Sequence, residues 1–146
     1  MSKRTLLAGL VALALGGLVL VLWPKPHVTD ADRVRHLIEA CVSGAEHRDI
    51  GPIVEALAPN FRGPSGMGRD EVRGLLLGYV VRSQGGRLTV LNPRLDVTET
   101  APGIVEFSGD FIFNRPEDGT TRYELSGTLH GEGGTFKFVE VRWRQP

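Results

Sequence analysis

Hydrophobic positions along the 146-residue chain follow three successive patterns. From Thr5 to Trp23 no residue is charged and apolar side chains occupy every face a helix would have. From Val34 to about Ser83 they recur at intervals of three and four. Beyond Gly85-Gly86 they alternate with polar residues. These periods correspond to a lipid-length helix, amphipathic helices and half-buried strands, in that order.

In the middle region, Thr29-Asp30-Ala31-Asp32 has the spacing of a capping box. Val34, Leu37, Ile38, Cys41, Val42 and Ala45 then form one apolar stripe, which predicts a first helix. Arg35 and Glu39 stand four apart on its polar side and are expected to pair. Asp49 and Pro52 signal a short second helix carrying Ile53, Val54 and Leu57, ended by Ala58-Pro59-Asn60. A glycine-rich connector at 63–68 leads to a third helix over 70–83, with Val72, Leu75, Leu76, Tyr79 and Val80 as its core stripe. Gly74, Leu77, Gly78 and Val81 make a second apolar strip on the other side. A helix covered on one side only is polar there, so this strip is the candidate interface for a second copy or a protein partner, the alternatives being packing on the sheet or an ordinary scatter of exposed apolar residues.

The strand region holds Val105, Phe107, Phe111 and Phe113 on one parity, then Tyr123, Leu125 and Leu129 on another strand. Turns are expected at Pro116-Glu117-Asp118-Gly119 and Gly131-Glu132-Gly133-Gly134. An earlier strand, 87–98, is interrupted by Asn92-Pro93, which predicts a bulge or an edge position. The last strand, 135–144, has apolar residues on both parities, Phe136 and Phe138 and then Val139, Val141 and Trp143, so a bulge or sharp twist is expected near Glu140. The fold class is therefore α+β: three helices packed on an antiparallel sheet of four long strands, preceded by one transmembrane helix.

Charge refines the picture of the leader. The chain has 17 basic and 17 acidic residues. Residues 1–26 contain Lys3, Arg4 and Lys25 and no acid, so a +3 leader precedes a −3 domain. Nineteen helical residues cover roughly 28 Å, close to the bilayer core. Lys3 and Arg4 keep the short tail inside, and Trp23 suits the far interface. The expected organisation is a cytoplasmic tail at 1–4, a signal anchor at 5–23, a Pro-Lys-Pro linker at 24–28 and a domain at 29–146. That domain would sit on the extracytoplasmic side of the cell membrane, in the periplasm of a Gram-negative bacterium. The competing reading, a signal peptide cut after Ala12-Leu13-Ala14, fits less well because Leu15 to Trp23 stays apolar. The absence of net charge also argues against nucleic acid as a partner. A single cysteine, Cys41, excludes an intramolecular disulfide.

Several phrases in the domain resemble the nuclear transport factor 2-like superfamily, in particular its SnoaL-like members. They are Val34–Ala45, His47-Arg48-Asp49-Ile50, Leu57-Ala58-Pro59-Asn60-Phe61, Gly68-Arg69-Asp70-Glu71-Val72-Arg73 and Phe136-Lys137-Phe138-Val139-Glu140-Val141-Arg142-Trp143. The resemblance covers about 29–145. It implies a cone, in which a strongly curved sheet wraps the helices and a pocket opens at one end. The superfamily includes isomerases, dehydratases and hydrolases as well as non-catalytic binding and assembly modules, so fold alone leaves the chemistry open.

Proton-transferring enzymes of this scaffold typically place an Asp or Glu just after the second helix. Here that stretch reads Asn60-Phe61-Arg62-Gly63-Pro64. Asp110 and Glu106 alternate out of phase with Phe107 and Phe111 and are expected to face solvent. His27, His36, His47 and His130 share no metal-ligand spacing, and Cys41 lies within a core stripe. No catalytic residue, metal site or cofactor is assigned. The candidate ligand pocket consists of Phe107, Phe111, Tyr123 and Phe138. The expected function is a membrane-anchored, non-catalytic binding or assembly domain. The alternatives are an enzyme of the isomerase, dehydratase or hydrolase kind, or a carrier of a small apolar ligand.

Overall fold

In a computed structural model the described residues are 28–82 and 87–146. The expected anchor at 5–23 lies outside them, as do His27 and Gly85-Gly86. Among the described residues no helix is long and apolar enough to cross a membrane.

Helix α1 spans Asp30–Glu46 and begins with the capping box the sequence announces. The Thr29 hydroxyl accepts from the Asp32 amide at 3.1 Å, and the Asp32 carboxylate accepts from the Thr29 amide at 3.4 Å. Both groups satisfy amides that the first turn leaves without helical partners. Val34 and Ile38 are buried, with Leu37, Cys41, Val42 and Ala45 packed beside them. The expected Arg35–Glu39 pair does not form. Arg35 donates instead to the Leu95 carbonyl at 3.1 Å, and Glu39 lies near His36. A backbone carbonyl on a packed strand is a fixed acceptor, whereas a pair of exposed side chains gains little. The short helix α2, Gly51–Glu55, has Pro52 in its first turn, and the Asp49 carboxylate accepts from the Gly51 amide at 3.1 Å.

The chain then departs from the expected pattern. Leu57–Arg62 is a strand, β1, and not the tail of the second helix. It runs parallel to β5 (Thr135–Arg144), with Leu57 opposite Phe138 and the Phe138 amide donating to the Ala56 carbonyl at 2.7 Å. Ala56, Leu57, Ala58 and Phe61 are buried there. A tight 3₁₀ turn, Pro64–Gly66, precedes helix α3, Arg69–Arg82.

Three long strands complete the sheet: β2 (Thr89–Ala101), β3 (Ile104–Arg115) and β4 (Gly119–Glu132). Their order is β1-β5-β4-β3-β2, so the expected antiparallel sheet gains one parallel edge strand. Two bulges reset the inward parity. On β2 the register shifts between Leu91 and Arg94, and inward positions change from Val90 to Leu95 and Val97. Pro93 falls inside that bulge on an edge strand, where its missing amide costs no ladder bond. The Asn92 side chain bridges the gap by donating to the Asp110 carbonyl at 2.8 Å. On β5, Val139 is the extra residue opposite Thr128 and Leu129, which separates inward Phe138 from inward Val141.

Helix α1 touches β2, β3 and β5. Strands β5 and β2 stand three places apart, roughly 14 Å in a flat sheet, against a helix diameter of about 10 Å. The sheet therefore curves around the helix, and the concave face holds the core of Val105, Phe107, Phe111, Leu129, Phe136 and Phe138.

Candidate functional site

Between the concave sheet and the helices lies a cavity of about 590 Å³, within the range typical of small-molecule sites. Alternation along the strands supplies its walls. β3 contributes Phe107, Phe111 and Phe113, and β4 contributes Thr121, Tyr123 and Leu125. β5 contributes Phe138, Val141 and Trp143. All four candidate pocket residues, Phe107, Phe111, Tyr123 and Phe138, line this one space. The Phe107 and Phe138 rings meet edge to face with centroids 5.6 Å apart, and Phe113 meets Tyr123 in the same way at 5.8 Å. Such pairs hold their rings in fixed orientations, so the wall is shaped before any ligand arrives.

Helix α3 forms one side of the cavity. Val72, Leu76 and Tyr79 line it, yet no residue of the helix is fully buried. Val72 and Tyr79 pack against the core from this side while remaining partly accessible along the cavity. Leu75, expected in the core stripe, is 52% exposed. In the candidate interface strip, Leu77 and Val81 are 46% and 66% exposed, Gly74 is exposed and Gly78 half-buried. The helix is held at both ends: the Arg69 side chain donates to the Val54 carbonyl at 3.4 Å, and Arg115 of β3 stacks over the Tyr79 ring at 4.7 Å.

Polar groups gather at one rim. Arg115 and Asp118 pair at 3.0 Å across the β3–β4 turn. Thr121 and Tyr123 follow on β4, opposite Phe113 and Phe111. The sequence shows this turn but not that its residues line the cavity. Its one local clue is the Arg115-Pro116-Glu117-Asp118-Gly119 run two residues after an inward Phe113.

Asp118 is the one carboxylate among the lining residues, and no histidine lines the cavity. Glu106 is exposed. Asp110 lies on the outer sheet face between Arg94 and Arg122, each 3.2 Å away. The Arg94 hydrogen bond, supported by Arg122, holds its carboxyl below the ordinary carboxylate value. Glu140 pairs with Arg142 at 2.9 Å. Cys41 lines the cavity wall, and burial pushes its thiol up to about 11, which keeps it in the unreactive protonated form. Among the described residues no group of three potential ligands is placed to hold a metal ion.

Known structures share this fold. A protein of unknown function from Pseudomonas putida superposes with a TM-score of 0.69 at 14% identity, covering 80% of this chain and 86% of that one. The fold is nuclear transport factor 2-like. A Caulobacter vibrioides protein described as having a cystatin-like fold gives a TM-score of 0.66 at 15% identity, over 79% of this chain and 88% of its own. A hexachlorocyclohexane dehydrochlorinase from Novosphingobium barchaimii shares the fold with a TM-score of 0.62 at 15% identity, covering 77% and 84%. No family model and no curated protein matches the sequence. Both catalysts and proteins without assigned activity thus occur on the nuclear transport factor 2-like fold, and the site itself has to carry the functional argument.

Proposed function

We propose that this protein is a binding module, tethered by residues 5–23 to the extracytoplasmic face of a membrane, whose cavity accommodates a small, largely apolar molecule. The observation that carries this reading is the cavity of about 590 Å³, whose ionic groups are confined to its rim. Burying apolar ligand surface there is favourable by about 25 cal/mol per Å² before the costs of association. A general base must reach the proton it removes. The lining carboxylate, Asp118, is engaged by Arg115 at the rim, so the site is better suited to holding a molecule than to deprotonating one. The tether rests on the uncharged run from Thr5 to Trp23 and the basic residues that precede it.

The test uses the full chain carrying Trp23→Phe, which leaves Trp143 of the cavity wall as its sole tryptophan. N-phenyl-1-naphthylamine, a neutral apolar dye, is expected to accept energy from Trp143 on binding. Ala45→Phe, which fills the cavity from α1, is expected to abolish the transfer while circular dichroism stays unchanged. Dye binding that survives Ala45→Phe would remove the cavity from the function. The tether is checked by carbonate washing, after which the full-length protein should stay with the membranes.

A further inference from the structure

The distribution of polar groups around the cavity is one-sided. Along the β3–β4 hairpin the cross-strand pairs run Arg115–Gly119, Phe113–Thr121, Phe111–Tyr123 and Gly109–Leu125. Charge lies at the first pair, hydroxyls at the next two, and only apolar side chains beyond. Buried wall residues such as Leu57, Phe107 and Phe138 carry no side-chain polar atom. A ligand matched to this gradient has an apolar body and one polar end.

Arg115 decides the sign of that end. It is the one cation among the lining residues. Its side chain is 38% exposed, whereas that of Asp118 is 67% exposed. The guanidinium carbon lies over the Tyr79 ring, 4.7 Å from its centroid, which holds the charge at the cavity's edge. Of its five N–H donors, the described contacts engage one, NH1, with Asp118. The remaining donors are available to a planar or tetrahedral oxyanion, for which a guanidinium is well matched. Displacing Asp118 costs little, because an exposed ion pair across a turn is weak.

We infer that the ligand is a monoanionic amphipath, with its acidic head on Arg115 at the mouth and its apolar body among the aromatic residues of the cavity. This rests on the cavity-binding reading above. It adds a head-group chemistry that the apolar walls alone do not specify. Asp118 acts as a stand-in anion that neutralises Arg115 in the empty site and yields to the ligand.

Two dyes matched in their ring systems separate the two ideas: neutral N-phenyl-1-naphthylamine and its anionic relative 8-anilinonaphthalene-1-sulfonate. Both are titrated against the full chain carrying Trp23→Phe, read by energy transfer from Trp143. Arg115→Gln is expected to weaken the sulfonate by roughly tenfold or more, the scale of a charge-assisted hydrogen bond. The neutral dye registers any loosening of α3 that follows loss of the Arg115–Tyr79 contact, so the ratio of sulfonate to neutral-dye affinity is what should fall, by roughly tenfold. Arg115→Lys should weaken the sulfonate by an intermediate factor, and Asp118→Asn should tighten it. Sulfonate affinity that is unchanged in Arg115→Gln, or lost in step with the neutral dye, overturns the head-group inference and leaves cavity binding intact. Failure of both dyes to bind the parent protein overturns both.

Discussion

Gly127 of β4 stands so close to the Glu140 carbonyl of β5 that no Cβ fits between them. The contact lies next to the Val139 bulge, where the register between β4 and β5 shifts. A Cβ at this position would also meet the Phe107 ring at 2.8 Å. Gly127→Ala is therefore expected to destabilise the domain by about 2 kcal/mol, the usual scale of overpacking. Gly74 on α3 has open space where its Cβ would be, and Gly74→Ala should stabilise by about 0.5–1 kcal/mol. Urea unfolding followed by circular dichroism measures both. Equal effects would remove the close approach as the cause.

The Asp110 carboxyl titrates below its ordinary value because Arg94 and Arg122 favour the charged form. A folded-state value below the unfolded one stabilises the protein above the unfolded value, about pH 3.9. That contribution disappears as the pH falls through the folded value. Asp110→Asn is expected to lower the urea midpoint near pH 7 and to converge on the parent protein as the pH falls below about 4. A midpoint difference that stays constant down to about pH 2.5 would contradict the assignment.

Cys41 provides a chemical probe of the cavity wall. With its thiol pushed up to about 11, its thiolate population at pH 8 is about two orders of magnitude below that of an ordinary cysteine. Iodoacetamide labelling of the folded protein should be slower by a similar factor and become normal in urea. Saturating N-phenyl-1-naphthylamine should slow it further. Alkylation at the rate of a free thiol would place Cys41 in a different environment.

The strip on α3 makes a separate prediction. Leu77 and Val81 are substantially exposed on the side away from the cavity. If a second copy covers them, Leu77→Asp lowers the mass in sedimentation to that of the monomer. An unchanged mass removes this strip from any subunit contact.

Local chemistry made several elements legible in the sequence. Thr29 and Asp32 declare the start of α1, Asn92-Pro93 declares a bulged edge strand, and the parity change after Phe138 declares the bulge on β5. Strand β1 was not legible for a physical reason. Leu57-Ala58-Pro59-Asn60 follows a helical turn directly, and its strand character comes from pairing with β5, far along the chain. Arg35 was misassigned for the same reason, because its acceptor on Leu95 lies sixty residues away. Alternation marked the inward aromatic residues, and the cone implied by the family resemblance turned them into candidates for a pocket wall. The polar rim could not be read this way, since it depends on α3 bringing Tyr79 beneath Arg115.

The position of β5 between β1 and β4 sets an order of events during synthesis. Among the described residues, β1 has β5 as its one strand neighbour. Its backbone groups must therefore wait, without a ladder, until Thr135–Arg144 has been made. Such long-range pairing closes late and slowly. The β2–β3–β4 meander can pair before that, since each of its strands follows its neighbour in the chain. The topology thus leaves one edge of the sheet, and the part of the cavity wall that β5 supplies, to be completed last.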